Sequence, residues 1–232
     1  MKISVGEEFF DEIRLNHSYY VDKTELIYDL VNWTDNKVTV FIRPRRFGKT
    51  LMMSMLESFF GMQKGSSHDV FQGLDIMKHE EFCAQWMNQY PVLFFTLKGV
   101  EALSFEEAYK TLLVQLSSLG KMYERLIDSE KVNPDDKQIF RDLMAQRASK
   151  ENVKDSIKTL MRMMYAEYEK PVILLIDEYD VPLAKASEQD MGGNDYYRRM
   201  LDVIRGMFDA ALKSNVYLKF SVITGCLHIA KQ

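Results

Sequence analysis

Arg43-Pro44-Arg45-Arg46-Phe47-Gly48-Lys49-Thr50 is the stretch whose residue types and spacing are suited to holding phosphate. It follows an apolar run, Val38 to Ile42, and precedes a helical pattern in which Leu51, Met52, Met55, Leu56, Phe59 and Phe60 share one face. A strand, a Gly-Lys-Thr loop and a helix make an anion cradle. The helix N-terminus turns its unpaired amides and positive dipole end toward the loop, Lys49 can neutralise terminal phosphate charge, and the Thr50 hydroxyl can ligate magnesium. Amides from Arg46 through Leu51, those of Phe47 and Gly48 among them, can line the cradle, whereas Pro44 has none to offer. Arg43, Arg45 and Arg46 are candidate phosphate or partner contacts, although a basic cluster on a loop is just as commonly only solvated.

The loop matches the second half of a Walker A motif, with Arg43 standing where the first glycine belongs. A bare Gly-Lys-Ser/Thr triplet arises by accident in about one chain in ten of this length, so a second element is needed. Pro171-Val172-Ile173-Leu174-Leu175-Ile176-Asp177-Glu178 supplies it: a continuous apolar run of the kind that forms a buried parallel strand, ending in two acids. Open α/β sheets bind ligands at the C-terminal ends of their strands. From there Asp177 can orient the hydrated magnesium held by Thr50, and Glu178 can polarise water for attack on a γ-phosphorus. Asp180 lies nearby as a lesser candidate. A third run, Val216 to Ile223, ends in Thr224-Gly225, and Thr224 is the candidate to sense the γ-phosphate or hold the water. Each feature has a plainer reading: an ordinary helix start for Gly48-Lys49-Thr50, a solvated turn for the acids, and a strand-end cap for Thr224.

At 232 residues and 47% apolar content the chain can bury one full core, and no second domain is required. A net charge of −4 gives no global basic footprint, so direct nucleic-acid binding has no support. Cys83 and Cys226, with no signal peptide and no long apolar segment, predict a reduced, cytoplasmic protein with no membrane span. Neither the cysteines nor His17, His68, His79 and His228 have metal-ligand spacing, and the methionines read as adaptable core filler.

After an N-terminal segment through about Asp35, the pattern predicts the loop strand, its helix, and a polar loop around Lys64 to His68. A strand at Val92 to Leu97 follows, then a helix opened by a Ser104/Glu107 capping box and running to about Leu119. Helices near Lys137 to Ala148 and Glu151 to Tyr168 precede the acidic strand; a Gly192-Gly193-Asn194 loop and a helix from about Asp195 to Leu212 precede the Thr224 strand. Strands alternating with helices argue an α/β fold with a mostly parallel sheet and helices on both faces.

With these motifs in hand, the chain resembles the AAA-ATPase-like family of bacterial and archaeal proteins. Tyr20-Val21-Asp22-Lys23-Thr24 and Arg43 to Thr50 stand unbroken, and Asp177-Glu178-Tyr179-Asp180 and Thr224-Gly225 look like the family's later motifs. The resemblance covers essentially the whole chain and accommodates Arg43, since the family is similar in using arginine there. It implies a P-loop NTPase three-layer sandwich of the additional-strand, AAA-like type. Residues 1–35 would be an N-terminal segment and 36–232 a nucleotide-binding core, in one domain truncated before its last strand. It also implies ATP binding with Mg2+ and hydrolysis to ADP and phosphate, with Lys49, Thr50, Asp177 and Glu178 in the Walker A and Walker B roles. Tyr20 to Thr24 would approach adenine and ribose or form a packed entry segment. Full-length members resemble an ATPase followed by a restriction-endonuclease-like domain, so an effector domain or protein partner and an AAA-type oligomer are expectations by resemblance only. A nucleotide-gated module with little hydrolysis is the alternative, ranked ahead of a small-molecule kinase. Arg198, Arg199 and Arg205 are the arginine-finger candidates.

Overall fold

A computed structural model describes residues 6–32, 36–62, 67–189 and 195–226. Its centre is a four-stranded sheet in the order β1-β4-β3-β2, comprising β1 (Val38–Ile42), β2 (Val92–Thr96), β3 (Val172–Asp177) and β4 (Leu218–Gly225). All three pairings are parallel. Parallel neighbours need long crossovers, and the intervening helices supply them. The helices are α1 (Phe10–Leu15), α2 (Glu25–Asn32), α3 (Lys49–Phe60), α4 (His68–Phe71), α5 (Glu80–Trp86), α6 (Phe105–Met122), α7 (Pro134–Met144), α8 (Lys150–Tyr168), α9 (Val181–Gln189) and α10 (Tyr196–Leu212).

The sheet is covered on both faces because its strands are apolar on both. In β3, Val172, Leu174 and Ile176 join a core built with α6, α7, α8, α9 and α10, while Ile173 and Leu175 join a second core with α1 to α5. Successive strand residues point to opposite faces, so this alternation is the pleat itself. β4 adds an irregularity: the β3–β4 register passes from Val172↔Leu218 to Ile173↔Phe220, a bulge at Lys219. One extra residue reverses the parity, which is why Leu218 and Ile223 reach the same core.

Local signals set the helix starts. The Ser104 hydroxyl accepts the Glu107 amide at 3.3 Å, Ser149 accepts that of Asn152 at 3.2 Å, and Asn133 caps α7 ahead of Pro134 by accepting the Asp135 amide at 2.8 Å.

Several boundaries differ from expectation. α7 begins at Pro134 and ends at Met144, α6 continues to Met122, and β4 begins at Leu218 rather than Val216 while ending, as expected, with Thr224 and Gly225. Within the described part of the N-terminal segment, residues 1–35, two helices form, α1 and α2. The Phe10 amide donates to Ser54 Oγ at 3.0 Å, and Ser58 donates to Asp11 at 2.6 Å, so α1 lies along α3. α3 is therefore covered on two sides, and Met53, Ser54 and Ser58 are buried beside Met55, Leu56, Phe59 and Phe60, while Leu51 and Met52 stay half-buried. The expected loops at Lys64 to Ser66 and Gly192 to Asn194 lie outside the described residues; Ser67 is buried, its hydroxyl donating to the Ser58 carbonyl at 2.6 Å.

Candidate functional site

Asp177, the last residue of β3, has no solvent exposure. A buried carboxylate needs donors. Thr50, in the first turn of α3, donates its hydroxyl to Asp177 Oδ2 at 2.8 Å, and Thr224, near the end of β4, donates a short bond to Oδ1. Three chain segments separated by more than 40 residues thus meet on one carboxylate.

The loop after β1 prepares Thr50's position. The Arg43 amide donates to the Gly225 carbonyl at 3.2 Å, continuing the β1–β4 ladder by one residue. Arg43 therefore needs no glycine-like backbone; the left-handed positions are Arg46 (φ 70°) and Gly48 (φ 73°). Gly48 caps α3 without a side chain, leaving the first-turn amides to be satisfied from outside the helix. Lys49, 9% exposed, folds back over the loop, its ammonium donating to the carbonyls of Arg43 and Pro44 at 3.0 Å each and to Cys226 Sγ at 3.2 Å. Phe47 is exposed and Leu51 half-buried. Arg45 comes close enough to act electrostatically on Glu178.

Glu178 turns the chain out of β3 in a left-handed conformation, φ 55°, which costs a non-glycine residue about 1–2 kcal/mol. Burial, then the neighbouring Asp177 charge, pushes its carboxyl above the ordinary glutamate range, and Lys98, Lys49 and Arg45 pull it back down. The next two residues lock the turn to β4. The Tyr179 amide donates to the Thr224 carbonyl at 3.1 Å, and Asp180 accepts the Cys226 amide at 3.0 Å. Gly225 is required there: a Cβ would collide with the Tyr179 ring and come within 2.7 Å of Asp180 Oδ1.

The structure thus brings Thr50, Asp177 and Thr224 together through hydrogen bonds, while Lys49 is tied to Cys226 just after β4 and, with Arg45, lies in electrostatic range of Glu178. Tyr20, Asp22 and Thr24 pack as an entry segment, the second of the two expectations for that stretch. Asp22 accepts the amides of Thr24 at 2.8 Å and Asp75 at 2.7 Å, Thr24 Oγ1 accepts that of Ile76 at 3.1 Å, and Tyr20 reaches Met55 on α3. These side chains clamp the turn at 75–78 to α2. Arg199 is bound to Glu106 at 2.7 Å and stacked over Phe105, Arg198 pairs with Asp195, and Arg205 with Asp209.

Sequence reasoning missed Lys98, Tyr179 and Cys226. The signal for Lys98 was its position just beyond a predicted strand, at the same end of the sheet as the two acids. Among the described residues no three His, Cys, Asp or Glu side chains are grouped to hold a metal, and no helix is long and apolar enough to cross a membrane. A concavity of about 510 Å³ lined by Met62, His68, Met77, Cys83 and Met87 shares no residue with the strand-end cluster.

An uncharacterized protein encoded in the vnfD 5' region of Azotobacter chroococcum mcd 1 is 25% identical to this chain over 232 residues. The match takes in 99% of this chain and 38% of that relative, so the chain spans well under half of the relative's length. No solved structure matches. A family model described as predicted AAA-ATPase matches residues 4–232, and the chain belongs to that AAA-ATPase-like family.

Proposed function

We propose that the chain binds ATP with magnesium at the C-terminal edge of its sheet and hydrolyses it to ADP and phosphate, passing nucleotide state to an attached domain or partner. The single observation that supports this most is the buried Asp177 carboxylate receiving both the Thr50 and Thr224 hydroxyls. Family membership suggests nucleotide binding or hydrolysis in general; the residue roles are our reading.

The donor set suits magnesium. Thr50 and Asp177 offer hard oxygens, and among the described residues no cage of protein carboxylates surrounds them, in keeping with an ion that takes its other ligands from water and phosphate. Bound there, the ion would neutralise charge on the terminal phosphates. Lys49 would leave the carbonyls of Arg43 and Pro44 to meet those phosphates, and the α3 amides behind Gly48 would hold them. Glu178, in a half-buried position and beside another acid, would orient water and take its proton as it attacks the γ-phosphorus. Thr224 would hold the far side of Asp177 and sense the transferred group.

A nucleotide-gated module with little hydrolysis is the second reading, favoured by one observation: Arg198, Arg199 and Arg205 are all paired with acids on α6 or α10 or just before α10. Equilibrium binding and phosphate release separate the two. Lys49→Ala is expected to abolish Mg-ATP binding, and Glu178→Gln to retain binding while lowering turnover by about 100-fold. Unchanged turnover in Glu178→Gln would remove hydrolysis by this route, and binding without turnover in the parent chain would select the gated module.

A further inference from the structure

Among the described residues, Lys98 is a cation at the site edge that the roles above do not use. Its backbone is fixed by the same ladder that delivers Asp177. Thr96 is the register partner of Asp177, the Leu97 amide donates to the Asp177 carbonyl at 3.0 Å, and the Lys98 amide folds back onto Thr96 Oγ1 at 3.1 Å. From α6, Gln115 donates to the Lys98 carbonyl at 3.2 Å. The root of the side chain is thus held beside the tip of β3, while the side chain itself is half exposed and able to swing.

Its ammonium is claimed from two directions. Both carboxylate oxygens of Glu8, just ahead of α1, accept from it at 2.7 and 2.9 Å. That bond first, and then the charges of Glu8, Glu178 and Asp177, hold it above the ordinary lysine range. Lys49 faces the site from the β1 side of the sheet and Lys98 from the β2 side, with the two acids between them.

Resting on the ATP reading, we propose that Lys98 recognises the terminal phosphate of a nucleoside triphosphate, leaving Glu8 to do so, and that the Glu8–Lys98 bond therefore reports to the N-terminal segment whether the third phosphate is present. A diphosphate lacks the group that reaches the β2 side, so Glu8 keeps Lys98 when ADP is bound. Glu8 and the phosphate compete for one ammonium, so removing the ammonium and removing Glu8 have effects of opposite sign on ATP affinity. α1 lies along α3 through Phe10 and Ser54, so a segment freed at Glu8 remains anchored to the nucleotide helix.

The test is calorimetric titration of the purified chain with Mg-ATP and, separately, Mg-ADP, with thermal melts to verify folding of each variant. Lys98→Ala is expected to weaken ATP about tenfold, one charge-assisted hydrogen bond's worth, with ADP unchanged. Glu8→Gln is expected to tighten ATP about threefold, the scale of one exposed ion pair, again with ADP unchanged. Lys98→Arg should keep most of the ATP preference. Equal losses for both nucleotides, no change in either, or weaker ATP binding in Glu8→Gln would reduce the pair to a surface tie and overturn the inference while leaving the ATP reading intact. A parent chain that binds neither nucleotide would overturn the ATP reading, and the inference with it.

Discussion

The body and the tip of β3 follow opposite rules. From Val172 to Ile176 every side chain is apolar and wholly buried, and each contributes to one of two cores. One residue later the chain buries a carboxylate, then adopts a left-handed conformation at a glutamate whose ionisation is disfavoured. Stability accumulates in the body, and costs accumulate at the tip. Such costs persist only where surrounding structure over-determines them, and here Thr50, Thr224, Tyr179 and Asp180 do so. Local rules break where the strand ends converge on one carboxylate.

Leu174→Ala is the strongest way to break this comparison. It should lower unfolding free energy by about 3 kcal/mol in urea titrations, while ATP affinity of the folded fraction stays unchanged. A fall in affinity of the same size would mean that body and tip are not separable. Gly225→Ala should do the reverse: a loss of about 2 kcal/mol as Tyr179 is displaced, accompanied by weaker nucleotide binding because the residues that position Asp177 and Lys49 move with it.

Glu178→Gln sharpens the comparison through pH. Because burial and Asp177 raise the folded-state value, the protonated form is the one that stabilises the fold, and that stability is lost as pH rises through the raised value. The variant should therefore melt higher than the parent at neutral pH without magnesium, and the gap should close as the solution is acidified. Asp202 is the opposite case and the smallest effect. Hydrogen bonds from Lys150 and Lys154, at 2.8 Å each, hold it down to about 2, so its stabilising contribution is present above the usual aspartate range and disappears between about pH 4 and 2. With its side chain 52% exposed, Asp202→Asn should cost only about 0.5 kcal/mol at neutral pH, less in high salt.

Much of this was legible because it is local. Apolar runs ending in Thr, Asp and Glu mark strand ends, and the Gly-Lys-Thr loop marks a helix start, so the cluster's membership could be read from punctuation alone. The α/β class followed from alternation. What could not be read depends on pairings across long separations. Asp22 meets Asp75 and Phe10 meets Ser54, contacts between residues about 50 positions apart that no periodicity encodes. The burial of Met53 was missed because a second helix covers the side of α3 that a sheet alone would leave open. Lys98 was passed over because its position just beyond a strand gains meaning only once that strand is seen beside Asp177.

β1 is the least buried of the four strands, and among the described residues it pairs only with β4. In mechanical terms the Arg43-to-Thr50 loop is mounted on a cantilever: one ladder of five register pairs carries it, against two ladders for β3. Among the described residues, load applied to β1 would pass to the loop of Lys49 through that one ladder, whereas the strand of Asp177 is braced by two. Among the described residues the loop is thus the less braced wall of the cluster and the tip of β3 the more braced one, which makes their separation the dimension that a contact on β1 would change first.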